Sequence, residues 1–212
     1  MTPTTRIATM AAPTFAAELV AGLLAAAPAE ASPDVGKPAP GFSTVDSNGR
    51  MTALADYRGK TVVLEWTNHD CPYVRRHYAL GNMQAQQKEA TADGVAWLSI
   101  ISSAPGTQGH VSGAEANALT KKRGAAPTKV LLDPPGTVGR AYGAQVTPHM
   151  YIVDGNGALV YKGGIDDKPT PFGELENNTR HFVRMALAEL KQGRKIRHDD
   201  TRAYGCTVKY AD

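Results

Sequence analysis

The sequence predicts an α/β fold with a mixed central β-sheet flanked by helices. Strand-like and helix-like segments alternate between residues 62 and 153, which favours parallel strands joined by helical crossovers. Two apolar segments then enclose the turn sequence GNG at residues 155–157, which indicates an antiparallel hairpin. The two observations together predict one sheet of mixed direction with helices on both faces.

Short local patterns predict the first elements. The sequence SNG at residues 47–49 separates two alternating stretches and indicates a hairpin. The apolar run TVVLEW at residues 61–66 is too short for a helix and rich in β-branched residues, so it predicts a buried strand. Residues 71–92 predict one long helix that ends near the Asp-Gly pair at 93–94.

The later elements follow in the same way. The predicted strands are VAWLSII, TKVLLD, HMYIVD and ALVYKGG, and the predicted helices are SGAEANALTKKRG, GTVGRAYG and NNTRHFVRMALAELKQG. We expect the last helix to be capped by Asn178 or Thr179 and to end at Gly193. The tail after it shows no clear periodicity.

Composition limits the function classes. A chain of 212 residues with 42% hydrophobic residues can bury a full core. Its net charge of +3 is spread over interspersed charges of both signs, so we expect no nucleic-acid partner. The two cysteines, Cys71 and Cys206, are too few for a disulfide-dense scaffold or a Cys-only zinc site. No phosphate-loop motif is present, and we expect no bound cofactor.

The N-terminal segment differs from the rest of the chain. An Ala/Leu-rich run over residues 19–27 precedes the small-residue pattern AEA at 29–31, which predicts a signal peptide over residues 1–31 and a periplasmic or secreted protein. An uncleaved Ala-rich leader on a cytoplasmic protein is the alternative. The apolar run is shorter than the ~20 residues that span a bilayer, so we expect no stable membrane insertion.

Cys71 stands between a predicted strand and a predicted helix. A cysteine in the first turn of a helix faces free backbone N–H groups and the positive end of the helix dipole, which favours the thiolate. Arg75, Arg76 and His69 add positive charge nearby, whereas Asp70 opposes them. A reactive thiol is therefore predicted, and a buried, inert cysteine is the alternative.

These elements together resemble a known family. A strand, a cysteine at a helix start, a Thr-Pro pair before a strand, a hairpin and a last helix resemble the thioredoxin fold. The segment VGKPAPGFSTVDSNGRMTALADYRGKTVVLEW is similar to the opening G-x-x-A-P-x-F … L-x-D-x-x-G-K-x-x-V-L-x-F-W of the alkyl hydroperoxide reductase and thiol-specific antioxidant (AhpC/TSA) family. The resemblance covers residues 35–195 and implies a thioredoxin-like redoxin domain over residues 32–196, followed by a tail at 197–212.

The resemblance also implies site residues. Glu65 stands six positions before Cys71 and matches the buried acid that shuttles protons in thioredoxins, a general acid or base in chemical terms. A position at a solvated strand edge is the alternative for Glu65. Thr147 and Pro148 match the pair that thioredoxin-fold proteins hold as a cis peptide beside the cysteine.

The sequence also departs from these family patterns. The peroxidase signature P-x-x-x-T-x-x-C would need proline and threonine where Leu64 and Asn68 stand, and Val74 replaces the second cysteine of C-x-x-C. Redoxins with a D-C-P motif and a tail G-C-x-x-K resemble this chain, which implies that Cys206 resolves Cys71. Two unrelated thiols are the alternative, because sequence cannot establish the spacing that a disulfide needs.

The predicted function is therefore a thiol-disulfide oxidoreductase or a peroxiredoxin-like antioxidant protein. Its nucleophile is Cys71, its resolving thiol is Cys206, and its partner is a thiol or disulfide protein, or a small peroxide or disulfide. The alternative is a non-catalytic binding module or metallochaperone with a structural disulfide between these cysteines. In a metallochaperone the further ligands would be His69, His77, His149 and Met150.

Overall fold

A computed structural model describes Met1 and residues 32–211. The predicted signal peptide, Met1 apart, lies outside the described residues. Five α-helices occur in the described part: α1 (Pro72–Ala79), α2 (Asn82–Ala92), α3 (Gly113–Lys122), α4 (Thr137–Ala141) and α5 (Phe182–Lys191). None of them is long and apolar enough to cross a membrane.

A seven-stranded sheet forms the centre of the fold. Its strands are β1 (Ser43–Asp46), β2 (Met51–Ala53), β3 (Val62–Trp66), β4 (Ala96–Ile101), β5 (Lys129–Leu132), β7 (His149–Val153) and β8 (Leu159–Gly163). They lie in the order β2-β1-β5-β4-β3-β7-β8. The pairs β3–β4 and β4–β5 are parallel, whereas β7 runs antiparallel to both β3 and β8. The predicted mixed α/β sheet and its late hairpin are confirmed.

The central strand β3 is buried along its whole length. Its side chains alternate between two apolar clusters, because successive residues of a strand point to opposite faces. Val63 belongs to the cluster that contains Cys71, and Leu64 belongs to the cluster on the other face. The end of β3 is therefore held rigidly from both sides, directly before the loop that carries Cys71.

The long helix predicted over residues 71–92 is two helices. The break is at Gly81, where φ is 69° and the backbone N–H donates to the carbonyl of Tyr78 at 3.2 Å. The side-chain amide of Gln84 donates to the carbonyls of Tyr78 and Arg123, each at 2.8 Å. The prediction was wrong because the surrounding residues favour a helix, and the contacts that stabilise the break come from distant parts of the chain.

The predicted N-terminal cap of the last helix is also wrong. Helix α5 begins at Phe182, beyond Asn178 and Thr179. Arg180 donates from its backbone N–H to Asp167 at 3.0 Å and from its Nε at 2.8 Å. This double contact holds the residues before Phe182 against a loop, so the helix starts later.

The tail after α5 contains a strand that its sequence did not indicate. Residues 206–207 form β9 (Cys206–Thr207), which pairs with β6 (Val146–Thr147) in a separate two-stranded sheet. The tail is also bound further along, where the N–H of Ala104 donates to the carbonyl of Lys209 at 2.7 Å. The chain thus returns from α5 to the end of the central sheet where α1 begins.

Candidate redox site

Cys71 occupies the N-cap position of α1, and Pro72 begins the helix. The Cys71 carbonyl accepts the N–H of Arg75 at 2.9 Å, and its own N–H donates to the carbonyl of Asn68 at 3.1 Å. The Cys71 side chain is completely buried, and its Sγ donates to the carbonyl oxygen of Thr147 at 3.1 Å. The predicted helix-start position is confirmed, but Cys71 caps the helix and does not lie within its first turn.

Thr147 and Pro148 are joined by a cis peptide bond, as the resemblance implied. Thr147 ends β6, and β7 begins one residue after Pro148. The contact between the Cys71 thiol and the Thr147 carbonyl places the cis peptide directly beside Cys71. The structure therefore brings together three of the predicted site residues.

The fourth predicted site residue, Cys206, arrives on β9. Its register partner in the antiparallel pairing is Thr147. Gly205 approaches so closely that a Cβ atom on it would lie 1.9 Å from the Thr147 carbonyl oxygen, and its φ is 143°. Only glycine satisfies both constraints, so the residue before Cys206 is essential for this close approach.

Thr147 brings the two free thiols near each other, because its carbonyl accepts from Cys71 and its register partner is Cys206. Cys206 is partly exposed and packs against the apolar cluster that contains Cys71. Burial, and then the neighbouring Cys71 thiol, raise the pKa of Cys206 to about 12. Cys206 therefore retains its proton at neutral pH.

Glu65 is fully buried, which excludes the solvated-edge alternative. Its carboxylate accepts hydrogen bonds from the Tyr78 hydroxyl, the Gln87 amide, the Trp97 indole and the Ser99 hydroxyl, at 2.8–3.1 Å. Tyr78 lies seven residues after Cys71, and residues at this spacing share one face of a helix. Glu65 is thus connected to α1, and within the described residues it makes no direct hydrogen bond to either thiol.

Two of the charged residues expected near Cys71 make other contacts. The Arg76 guanidinium donates to the carbonyls of Gly173 and Glu174, at 3.0 and 2.8 Å, and so anchors the exposed loop over residues 168–179. The Nε2 of His69 lies 3.3 Å from the Oδ2 of Asp70. The positive charges expected near the thiol are therefore partly engaged elsewhere.

The structure does not bring the candidate metal ligands together. His77 is buried within hydrogen-bond distance of Asn82 and Tyr204, and His149 contacts Tyr151. Within the described residues, no group of three or more His, Cys, Asp or Glu side chains is arranged to hold a metal. The histidines act here as hydrogen-bonding groups of the interior.

Sequence reasoning missed Tyr204 and Asp166. The Tyr204 hydroxyl donates a hydrogen bond to Asp166 and lies 3.2 Å from the Nε2 of His77. Because Asp166 and Tyr204 are 38 positions apart in the chain, no local pattern links them. The one available signal is that Tyr204 stands two residues before Cys206.

A cavity of about 520 Å³ borders the pairing of β6 and β9. Its volume lies within the range of small-ligand pockets. The lining includes the aromatic side chains Tyr73, Phe182 and Tyr204, and it extends to Val146 and Gly205. The cavity therefore opens beside the two strands that carry Thr147 and Cys206.

Comparison with known families agrees with this geometry. The AhpC/TSA family model matches residues 35–162, which is more than half of the chain. The chain belongs to the AhpC/TSA family. A comparison with curated proteins gave no match.

Solved structures similar to this AhpC/TSA protein come from several bacteria. An uncharacterized conserved protein from Geobacillus kaustophilus is 25% identical with a TM-score of 0.75, over 84% of this chain and 93% of that chain. A hypothetical protein from Sinorhizobium meliloti 1021 is 23% identical with a TM-score of 0.73, over 85% and 97%. A protein assigned as thiol:disulfide interchange protein DsbE from Chlorobium tepidum is 23% identical with a TM-score of 0.50, over 62% and 85%.

These likenesses establish the thioredoxin-like fold of the AhpC/TSA protein. Membership of the family also supports thiol-dependent redox chemistry in general, of the thiol-disulfide oxidoreductase or peroxiredoxin-like kind.

Proposed function

We propose that this AhpC/TSA protein is a thiol-disulfide oxidoreductase, with Cys71 as the nucleophile and Cys206 as the resolving thiol. One observation carries the proposal: Thr147 contacts Cys71 through its carbonyl and pairs with Cys206 in the strand register. A single backbone position thus brings together two thiols from distant parts of the chain.

The proposed reaction has two exchange steps. In the first, the Cys71 thiolate attacks a substrate disulfide, so that a mixed disulfide forms and one substrate thiolate leaves. In the second, Cys206 loses its proton and attacks the Cys71 sulfur, which releases the second substrate thiolate and leaves a Cys71–Cys206 disulfide. The substrate is reduced by two electrons and the cysteine pair is oxidised by two.

The burial of Cys71 adds one requirement to this scheme. Its side chain has no exposed surface, so a protein disulfide reaches it only after the tail around Cys206 moves aside. The closed arrangement suits the second step, because Cys206 and Cys71 both lie against Thr147. The described conformation, in which both thiols are free, corresponds to the reduced form, from which the tail opens to admit substrate and to which it returns after the second step.

Glu65 is proposed as the proton carrier of the site. Its contact with the Tyr78 hydroxyl connects it to the helix that Cys71 begins. Thr147 and Pro148 are proposed to position both sulfur atoms. The partner is proposed to be a thiol or disulfide protein, which would enter beside the aromatic cavity.

We also propose that the protein works in the periplasm or outside the cell. The leader pattern that ends at Ala31 supports export, and a reversible cysteine pair fits an oxidising compartment.

The test is a comparison of wild type with Cys71→Ser and Cys206→Ser. After incubation with oxidised glutathione, wild type should contain one disulfide joining Cys71 to Cys206, located by mass mapping of unreduced peptides. Cys206→Ser should react once and stop as a mixed disulfide, and Cys71→Ser should have no activity.

Other outcomes identify the alternatives. Peroxide turnover that survives in Cys206→Ser would indicate a peroxidase with one thiol. A disulfide that forms in wild type but resists glutathione would indicate a structural bond in a binding module.

A further inference from the structure

A buried chain of hydrogen bonds connects α1 with the tail. Its four members, the Tyr204 network, are Asn82, His77, Tyr204 and Asp166. Each of them is at most 9% exposed. Asn82 and His77 come from α2 and α1, Asp166 follows β8, and Tyr204 precedes Cys206 by two positions. The network therefore crosses the interface between the nucleophile's helix and the segment that presents the second thiol.

The direction of each hydrogen bond follows from its neighbours. The hydroxyl of Tyr204 has one proton, and it donates that proton to Asp166 Oδ1. Burial lowers the pKa of His77 to about 4, so the imidazole is neutral and has one N–H. The amide nitrogen of Asn82 lies 2.9 Å from the His77 Nδ1 and donates to it, which leaves the N–H on Nε2, 3.2 Å from the Tyr204 oxygen.

We propose that Tyr204 is a positioning residue for the cysteine pair: its hydrogen bonds to His77 and Asp166 hold the tail where Cys206 lies beside Cys71 and the tail covers it. The inference rests on the proposed function of that pair. On this proposal, Tyr204 sets the equilibrium between a closed tail, in which Cys206 can attack the Cys71 sulfur, and an open tail, which admits substrate.

Two features make the Tyr204 contact stronger than an ordinary surface hydrogen bond. The acceptor is a buried carboxylate, and hydrogen bonds to charged groups exceed those between neutral groups. The second oxygen of Asp166 has no hydrogen-bond partner within the described residues and lies 4.0 Å from His77. The Tyr204 hydroxyl and the backbone N–H of Lys168 therefore carry most of the stabilisation of that carboxylate.

The Tyr204 ring also contributes to packing beside the thiols. Its centroid lies 5.8 Å from the ring centroid of Tyr73 on α1, and Tyr204 belongs to the apolar cluster that contains Cys71. Removal of the hydroxyl alone leaves this packing in place. Tyr204→Phe therefore separates the hydrogen bonds from the contribution of the ring.

The test uses the full chain with Cys206→Ser, in which Cys71 is the one remaining cysteine. The rate of Cys71 alkylation by iodoacetamide, followed by mass spectrometry under native conditions, then measures how often the tail opens. Tyr204→Phe should raise that rate at least about tenfold, the expected effect of losing one hydrogen bond to a charged group. An unchanged rate overturns the inference.

Tyr73→Phe is the matched control. Tyr73 contacts the same ring, but its hydroxyl makes no hydrogen bond within the described part of the chain, so its removal should leave the alkylation rate within about twofold of the parent. Equal acceleration in both variants would show a general loosening of the cluster and would overturn the role of Tyr204.

A second measurement tests the pairing itself. In the chain with both cysteines, Tyr204→Phe should make the disulfide easier to reduce, by about 30 mV for a tenfold loss of the closed state. Asp166→Asn should act through the same contact. The variant that carries both Tyr204→Phe and Asp166→Asn should therefore show no larger effect than the stronger single substitution, whereas independent effects would multiply. Multiplication of the two effects counts against the network.

The two proposals fail in different ways. If wild type forms no Cys71–Cys206 disulfide, the proposed function falls, and the alkylation rates still decide the role of Tyr204. If wild type turns over and Tyr204→Phe leaves both the alkylation rate and the reduction potential unchanged, the positioning role alone falls.

Discussion

Cys206 lies directly opposite Thr147 in the antiparallel pairing of β6 and β9. The same Thr147 offers its carbonyl oxygen to the Cys71 thiol. The second thiol is therefore brought to the site by backbone pairing, and not by the one-turn spacing within a helix that C-x-x-C provides.

Gly205→Ala should separate the two thiols. The new Cβ would lie 1.9 Å from the Thr147 carbonyl oxygen, and the residue has a φ of 143°, so β9 must shift away from β6. We expect disulfide formation in a glutathione buffer to slow at least about tenfold, because thiol exchange depends on access and alignment. Gly193→Ala is the control, since its φ is 65° and a Cβ added there would have no atom within 4 Å. Equal rates in the two variants would contradict the steric explanation.

Glu65→Gln should destabilise the protein. The carboxylate accepts from four donors, three of them on Oε2, and an amide NH₂ in place of either oxygen would face at least one donor. The expected loss is roughly 1–3 kcal/mol in the free energy of unfolding, measured with urea. Glu174→Gln, at an exposed side chain, should change the stability by less than about 0.5 kcal/mol. If the two variants match, the hydrogen bonds to Glu65 contribute little.

Stability should fall as the pH decreases from about 6.5 to about 4, because burial lowers the pKa of His77 from 6.5 to about 4. In that interval the unfolded chain binds a proton at His77 that the folded protein does not, so acid favours unfolding. The stabilisation is fully present above pH 6.5, and its loss has a limiting slope of about 1.4 kcal/mol per pH unit.

The comparison for this prediction is His77→Gln, which keeps a nitrogen donor toward Tyr204 and does not titrate. His149, whose pKa burial also lowers to about 4, remains in both proteins and cancels in the difference. Urea midpoints of the variant should depend less steeply on pH over the same interval. Parallel curves would mean that His77 does not contribute.

Alkylation of Cys206 in the reduced protein should be slow near neutral pH and should rise about tenfold per pH unit up to its pKa of about 12. Part of that shift comes from the neighbouring Cys71 thiol and its charge, so Cys71→Ser should move the profile to lower pH, while burial keeps the pKa above the ordinary value for cysteine. Rates resolved by mass spectrometry check both profiles. A wild-type rate that levels off near pH 9 would show that the thiols do not interact.

Mature protein from its native cells should begin at or near Ser32, because Ala29 and Ala31 meet the small-residue requirement of signal cleavage. N-terminal sequencing gives the answer directly. Recovery of Met1 or Thr2 as the first residue would favour the cytoplasmic alternative.

Much of the sheet could be predicted because its strands are encoded locally. The run at residues 62–66 is apolar on both faces apart from Glu65, which is typical of a central strand, and the Gly-Asn-Gly turn marks the hairpin between β7 and β8. Cys71 at a helix start and the cis peptide at Pro148 were also predictable, since the family resemblance fixes their positions.

The rest depends on contacts between distant residues. A two-residue strand such as β9 has no periodicity of its own, and it exists because β6 pairs with it. Likewise, the hydrogen bond of His77 with Tyr204 joins residues 127 positions apart. Neither the burial of Cys71 nor the position of its partner follows from any single stretch of sequence.

The exposed loop that Arg76 anchors, residues 168–179, lies between Cys71 and Cys206 along the chain. If the proposed disulfide forms, a protease that cuts this loop leaves two fragments joined by a covalent bond. The same cut in the reduced protein leaves fragments held together by packing alone. A non-reducing gel of the nicked protein would then show one band for the oxidised protein and two bands for the reduced protein. Cleavage of this loop would therefore report the oxidation state of the cysteine pair.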